Sequence, residues 1–282
     1  MKKFLKWMGF VVAGLVVLAM SAALYAFFGS ERALARQHVA ARGPTLPLPG
    51  DATATAEGER LARLSGCQHC HGETMAGIFI VEIPNIARFY SPNVSRLQAE
   101  YSDDQLEAAI RDGVRRDGTS NWFMPSVMLH HLRDPDVAKV IAWVRTLPAQ
   151  DGNSEVTKLL PLGRLLVAAG QLPPQAEQVI ALPAETPVDD ASPASRGRYL
   201  VMSFCSECHG QNLEGNELAH APPLAVAKAY PLEDFTRLMH DGVGIGGRPL
   251  TLMRETAIAR FSHFTPEEVR DIHSFLTGAS AG

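Results

Sequence analysis

The stretch Cys67-Gln-His-Cys-His71-Gly72 returns 138 residues later as Cys205-Ser-Glu-Cys-His209-Gly210. All four cysteines of the chain lie in these two pairs, and each pair is followed at once by a histidine. The likeness extends outward. The first copy continues to Gly77 and the second to Gly215, each five residues past the Gly that follows the histidine. Further on, Ala109-Ile-Arg-Asp-Gly-Val114 answers to Leu238-Met-His-Asp-Gly-Val243, and 12 residues separate Asp112 from Met124 and Asp241 from Met253. A shared motif order with fixed spacing is the signature of an internal repeat. Two copies at so long a period predict tandem domains rather than a solenoid. Each copy has roughly 90–100 residues, enough for a small core supplemented by a large buried cofactor.

The chemistry of the pairs narrows that cofactor. Two cysteines separated by two residues can each form a thioether to a haem vinyl group, and the adjacent histidine is then held beneath the iron. Structural zinc also uses Cys-x-x-Cys pairs, but with about 15–20 residues between them; here Cys70 and Cys205 are 135 apart. A redox dithiol needs no following histidine. Two covalently attached haem c groups are therefore expected, on Cys67, Cys70 and His71 and on Cys205, Cys208 and His209.

With these residues the chain resembles the tandem class I-type cytochrome c family, in particular membrane-anchored dihaem cytochromes related to the cytochrome subunits of periplasmic dehydrogenases. Ser91-Pro-Asn-Val-Ser95, Arg111-Asp-Gly-Val114, Met124-Pro125 and Arg260-Phe-Ser-His-Phe-Thr265 also carry the resemblance, which covers about residues 53–280. In that family a methionine from a C-terminal loop fills the sixth position on the iron. Among the methionines of the two copies, only Met124 and Met253 occupy equivalent places in the repeat. The resemblance therefore implies His71 and Met124 on one iron and His209 and Met253 on the other. Arg254 rather than proline follows Met253. The histidine rivals His130, His131, His240 and His263 have no histidine counterpart in the other copy. The family also implies a proline carbonyl accepting from each proximal imidazole; Pro92 and Pro223 are the first choices, with Pro84 and Pro222 as rivals. Asn93 resembles a propionate-contacting position but equally suits a turn, and Trp122 can pack on the first haem.

The secondary structure reads as helical. Ser102-Asp-Asp-Gln105 has the form of a capping box opening the helix through Leu106 to Arg111. Asp134-Pro135 opens a helix with an apolar stripe at Val137, Val140, Ile141 and Val144. Thr265-Pro-Glu-Glu268 opens another, which Gly278 ends. No Asn-Gly hairpin appears between alternating apolar runs. The connection after the first copy holds a short apolar helical stretch, Leu159 to Ala169, and then Pro173, Pro174, Pro183, Pro187 and Pro193, which predict a stiff, extended linker packing across both domains. The fold class is thus all-α: an N-terminal transmembrane helix and two cytochrome c domains joined by a Pro-rich linker. The expected divisions are an anchor over 1–30, a linker over 31–52, domain 1 over 53–150, an interdomain linker over 151–190 and domain 2 over 191–282.

The anchor rests on Lys2, Lys3 and Lys6 followed by an uncharged run from Trp7 to Phe28, 22 residues, which as a helix spans roughly 30 Å of hydrocarbon. A secretory signal has a shorter apolar core, and its best cleavage site, Ala33-Leu34-Ala35, follows Glu31 and Arg32. An uncleaved span is the preferred reading over a cleaved signal. The lysines should stay in the cytoplasm, which puts the haem domains in the periplasm on a single-pass inner (cytoplasmic) membrane protein. Setting those three lysines aside leaves 23 of the 26 basic residues against 30 acidic ones. An acidic body argues against a nucleic-acid partner.

The expected function is one-electron transfer at the periplasmic face, between a dehydrogenase or quinol-oxidising complex and a terminal acceptor such as an oxidase. A neutral thioether favours ferrous iron, and a six-coordinate site has no room for substrate, so no enzyme activity is expected. Two alternatives stay open. One is the haem subunit of a terminal oxidase, which the long linker fits poorly. The other is a dihaem enzyme of peroxidase or thiosulfate-oxidising type; the latter uses a cysteine ligand on one haem in related cytochromes, and a fifth cysteine is missing here.

Overall fold

The computed structural model describes residues 2–40, 47–183, 188–217 and 219–278. Pro187 and residues 41–46 of the expected linker between anchor and first domain lie outside the described residues. The chain opens with α1 (Lys2–Leu34), α2 (Ala52–Leu64) and the short α3 (Cys67–His71). A hairpin of β1 (Phe79–Ile83) and β2 (Ala87–Tyr90) leads to α4 (Val94–Leu97) and α5 (Asp103–Glu107), which runs on as a π-helical turn over Ala108–Asp112. Then come α6 (Ser126–Leu129), α7 (Asp134–Arg145), β3 (Lys158–Leu159), α8 (Pro161–Ala168) and α9 (Gln175–Ile180). The second copy comprises α10 (Pro193–Phe204), α11 (Ser206–His209), α12 (Leu232–Asp241), α13 (Thr251–Ala259) and α14 (Pro266–Thr277).

Each copy is held by one crossing of its first and last long helices, α2 on α7 and α10 on α14. Sequence explains both. Leu61, Ala62 and Leu64 meet the stripe of Val137, Val140, Ile141 and Val144, all buried, while Leu200, Val201 and Phe204 meet Val269 and Ile272. Burying each such aliphatic side chain contributes about 1.5–3 kcal/mol. A glycine sits at each crossing. A Cβ on Gly58 would lie 2.0 Å from the Lys139 carbonyl oxygen, and one on Gly197 2.0 Å from that of Asp271. The helix backbones touch at these points, so no larger residue fits. The helix starts follow the expected chemistry: Ser102 with Gln105, and Thr265 with Glu268, form complete capping boxes. Gly278 closes α14 in the left-handed conformation.

The two copies face each other through reciprocal contacts, as in a two-fold interface. Helix α10 of the second copy touches α6 of the first, and α2 of the first touches the 3-10 turn Phe261–His263 of the second, the segment equivalent to Leu132–Asp134 just past α6. At one crossing the Tyr199 hydroxyl donates to Asp136 at 2.7 Å. At the other, Arg60 donates to both carboxylate oxygens of Glu268 at 2.9 Å and to the His263 carbonyl at 3.0 Å.

Two features differ from the sequence reading. The first copy carries a three-stranded antiparallel sheet, in the order β1-β2-β3. Its hairpin turns through Pro84-Asn85-Ile86, with Asn85 at φ 61° supplying the left-handed residue that an Asn-Gly pair would otherwise provide. The connection after the first copy is also more folded than its prolines suggest. Helix α8 lies against the C-terminal turns of α1: the Tyr25 hydroxyl donates to the Ala168 carbonyl at 3.1 Å, and Arg164 donates to Ser30 Oγ at 2.9 Å and to Glu31 at 2.7 Å. Helix α9 packs on the first copy, against α6 and the π-helical turn. The prolines sit where they do not break these helices, Pro161 opening α8 and Pro174 preceding α9. Beyond those last turns α1 is exposed, and it is long and apolar enough to cross a membrane, running four residues past the expected anchor boundary.

Candidate haem-binding site

The attachment motifs are helical. Cys67, Cys70 and His71 lie on α3; Cys208 and His209 lie on α11, with Cys205 as its N-terminal cap. On one helical turn, residues three and four apart share a face, so each cysteine pair and its histidine are aimed the same way. No disulfide closes either cysteine pair. Burial pushes the Cys67 and Cys205 thiols up to about 12 and raises Cys70 and Cys208 as well. Among the described residues no cluster of three or more His, Cys, Asp or Glu side chains could hold a bare metal ion.

The histidines are set by one hydrogen bond each. His71 Nδ1 donates to the Pro92 carbonyl at 3.1 Å, and His209 Nδ1 donates to the Pro222 carbonyl at 2.8 Å. A carbonyl only accepts, so the proton is on Nδ1 and the Nε2 lone pair is free for a metal. Burial lowers the pKa of both rings, outweighing the carbonyl contact, and keeps them neutral. Pro92 is the carbonyl expected from the sequence. In the second copy it is Pro222 and not Pro223. The 21 residues from His71 to Pro92 shrink to 13 from His209 to Pro222. The β1–β2 hairpin occupies that extra length in the first copy, and no strand stands there among the described residues of the second, so counting alone misplaces the second proline by one.

The methionines of the two copies divide into two groups. Met75, Met128, Met202 and Met239 are buried in the core. Met124 and Met253 are half-buried at its edge. Both follow the same device: α5 with its π-helical turn ends at Gly113, α12 ends at Gly242, and both glycines adopt left-handed φ, 68° and 65°. Val114 and Val243 then form single β-bridges, to Ser120 and Pro249. The N–H of Asn121 returns to the Gly113 carbonyl at 2.7 Å, and that of Leu250 to the Gly242 carbonyl at 3.0 Å. Each methionine follows three residues later.

Two half-buried sites built alike from one repeat are now in place, each with a dithiol, a neutral imidazole and a methionine loop. The cytochrome c family model matches residues 55–148 and 194–280. The chain belongs to the cytochrome c family. Over 168 residues it is 29% identical to the gluconate 2-dehydrogenase cytochrome c subunit of Pantoea cypripedii, an alignment covering 54% of this chain and 37% of that one. Over 175 residues it is 29% identical to the cytochrome c subunit of the quinone alcohol dehydrogenase of Gluconobacter oxydans (strain 621H), covering 54% and 34%. The chain spans about a third of the length of these relatives.

The residues of this cytochrome fit the covalent haem c that its family implies: paired thiols on one helical face and a histidine whose free nitrogen is fixed by a backbone acceptor. Other expected contacts resolve differently. Asn93 caps α4, accepting from the Arg96 N–H and from Ser95 Oγ, and donates to the Gln150 carbonyl at 2.9 Å. Its polar atoms are thereby used in local structure. Of the histidine rivals, His130 Nδ1 meets the Arg111 carbonyl at 3.1 Å and His131 Nε2 meets Gln211 Oε1 at 2.7 Å. Two residues near the sites were not anticipated. Asn121 donates to the Ala109 carbonyl at 2.8 Å and reaches Met124 Sδ at 3.7 Å. Arg260, quoted above only as part of a motif, crosses from the second copy into the first. The repeat held a signal for Asn121, since it faces Leu250 in the alignment of copies.

Proposed function

We propose that this cytochrome is a dihaem, membrane-anchored carrier of single electrons on the periplasmic face of the cytoplasmic membrane. Its haem domains occupy about residues 53–150 and 191–282. Cys67 and Cys70 tether one haem and Cys205 and Cys208 the other. His71 with Met124, and His209 with Met253, ligate the two irons. Bound there, each iron supplies a reversible one-electron couple, and the chain's own residues tune and shield it. The imidazole N–H bonds to Pro92 and Pro222 fix the proximal rings and raise their basicity. The donor or acceptor is a dehydrogenase or a quinol-oxidising complex on one side and a terminal acceptor on the other, and relatedness to cytochrome c subunits of two dehydrogenases favours the dehydrogenase.

The observation that carries this reading is the duplication of one whole site. Each copy carries a neutral histidine and, at the aligned position of the repeat, a half-buried methionine. Closed, paired ligation suits electron carriage and leaves no coordination position for substrate. Helix α1 supplies the anchor. Optical spectra of the haem-loaded protein in both oxidation states, with carbon monoxide challenge, test it. Two low-spin haems per chain, inert to carbon monoxide, are expected. A high-spin haem that binds carbon monoxide readily would mark an open site and sink the pure-carrier reading.

A further inference from the structure

The two attachment motifs meet at the interface between the copies, and one charged side chain lies between them. Arg260 follows α13 and is only 8% exposed. Its Nε donates at 2.9 Å to the carbonyl of Leu64, the last residue of α2 and three residues before Cys67. A Cβ on Gly66, directly before Cys67, would lie 3.2 Å from the guanidinium carbon. On its other side Nη1 donates at 3.1 Å to Glu207, which sits between Cys205 and Cys208. Nη2 points at Met128 Sδ, 3.9 Å away. One guanidinium therefore touches the chain entering the first motif and the interior of the second.

The repeat makes the placement informative. The counterpart of Arg260 in the first copy is His131, which reaches across in the same way, to Gln211 just past the second motif. The crossing is duplicated, but only one arm carries a permanent charge. Glu207 likewise has His69 as its counterpart. A junction that only needed to be filled or hydrogen-bonded does not require a guanidinium.

We propose that Arg260 is a positioning residue shared by both haem sites, whose buried positive charge, partly offset by Glu207, raises the midpoint potentials of the two haems together. This rests on the dihaem reading above. Reducing either iron adds an electron near the guanidinium, and a fixed positive charge in a partly desolvated interface stabilises that electron far more than one in water would. A single side chain of the second copy then acts on the first copy as well as on its own.

The test is an optical redox titration of the full haem-loaded chain at one pH, for wild type, Arg260→Gln, Arg260→Lys and Glu207→Gln, with haem content and spin state measured on the same samples. In Arg260→Gln both midpoints are expected to fall, by roughly a tenfold change in the ferrous-to-ferric ratio, or about 59 mV for a one-electron couple. Arg260→Lys, which keeps the charge and loses the fork, should retain most of both potentials. Glu207→Gln should raise both, and it decides the matter if Arg260→Gln fails to fold. Unchanged midpoints in Arg260→Gln overturn the proposal. So does movement of one midpoint alone, or an Arg260→Lys that falls as far as the glutamine variant. A wild type lacking two low-spin haems instead overturns the dihaem reading itself.

Discussion

The methionine loops of the two copies begin alike and end differently. Up to the residue that returns to the glycine carbonyl, their backbones follow one plan. Beyond it, the first loop is covered. Helix α9 clasps it through the Ala176 N–H on Ser120 Oγ at 3.0 Å and the Gln175 N–H on the Asn121 carbonyl at 3.0 Å. Pro125 follows Met124, and Asn121 reaches its sulfur. In the second loop Leu250 replaces the asparagine, Met253 lies inside α13 and Arg254 follows it. Ile245 and Leu252 stand 46% and 49% exposed beside it. A repeat thus fixes where a ligand can arise, while the neighbours that differ decide how firmly it is held.

The largest effect tests whether the loops are equivalent as ligand loops. Met124→Ala and Met253→Ala should each remove the methionine charge-transfer band of one haem and lower one midpoint. The drop should be on the order of 200 mV, within the ~0.8 V that axial ligands command. Potentiometric titration with optical detection reads both. If Met253→Ala changes nothing while Met124→Ala does, the second iron takes a different sixth ligand and the symmetry of the repeat fails at its chemistry.

Gly113 and Gly242 sharpen the comparison next. Alanine at either is strained by about 1–2 kcal/mol in the left-handed region. At Gly113 the new Cβ would meet the Gln175 Cβ at 2.9 Å and the Ala176 backbone nitrogen at 3.1 Å. At Gly242 it would meet the Arg254 Cα at 2.1 Å, the backbone next to Met253. Gly242→Ala should therefore cost about 1–3 kcal/mol more than Gly113→Ala. It should also disturb the second haem's spectrum while leaving the first intact. Thermal unfolding together with visible spectra of both variants checks this.

The interface between the copies gives a smaller effect, with a pH signature. Burial alone would raise the pKa of the Asp136 carboxyl, but the Tyr199 hydroxyl, Arg133 and Lys139 outweigh it and hold the group below its usual range. A lowered folded-state pKa means that the unfolded chain binds the proton more readily. The stability from Asp136 is then fully present above the unfolded value of about 3.9 and lost as pH falls through the folded one. Tyr199→Phe should cost about 1.5–3 kcal/mol near neutral pH. In thermal unfolding, the gap between wild type and Asp136→Asn should stay constant above about pH 5 and close below pH 4. Arg60→Gln at the reciprocal crossing should cost less, because both Arg60 and Glu268 remain partly exposed. A larger loss there would shift the weight of the interface to the other arm.

What the sequence disclosed follows from the range of the interactions involved. The attachment motifs, the capping boxes at Ser102 and Thr265, the stripe of α7 and the paired methionine positions depend on residues a few places apart, or on the repeat itself. The hairpin was missed because its turn uses Asn85 in the left-handed conformation without a following glycine, and because Phe79, Val81 and Ile83 are exposed instead of marking a buried face. Pro222 was misplaced because that same hairpin breaks the spacing between copies. The clasp of α9 and the reach of Arg260 depend on how the two copies dock. No local pattern encodes that, although the unequal pairs His131/Arg260 and Asn121/Leu250 stand in plain view once the repeat is aligned.

The smallest expected effect is also the most specific to the difference between the loops. Asn121 Nδ2 is held by the Ala109 carbonyl at 2.8 Å, and its contact with Met124 Sδ at 3.7 Å is long, so its influence on the sulfur is weak. An N–H aimed at a thioether withdraws electron density and favours the ferrous state. A net hydrogen bond of about 0.5–1.5 kcal/mol sets an upper limit of roughly 20–60 mV on that influence. Asn121→Leu, which copies the second loop into the first, should therefore lower only the first haem's midpoint, by an amount within that limit. Leu250→Asn should raise the second's by less, since α13 does not hold its methionine in the same loop. If Asn121→Leu instead frees the iron for carbon monoxide, the asparagine is holding the loop in place through the Ala109 carbonyl, and the clasp from α9 is not enough to keep Met124 where it is.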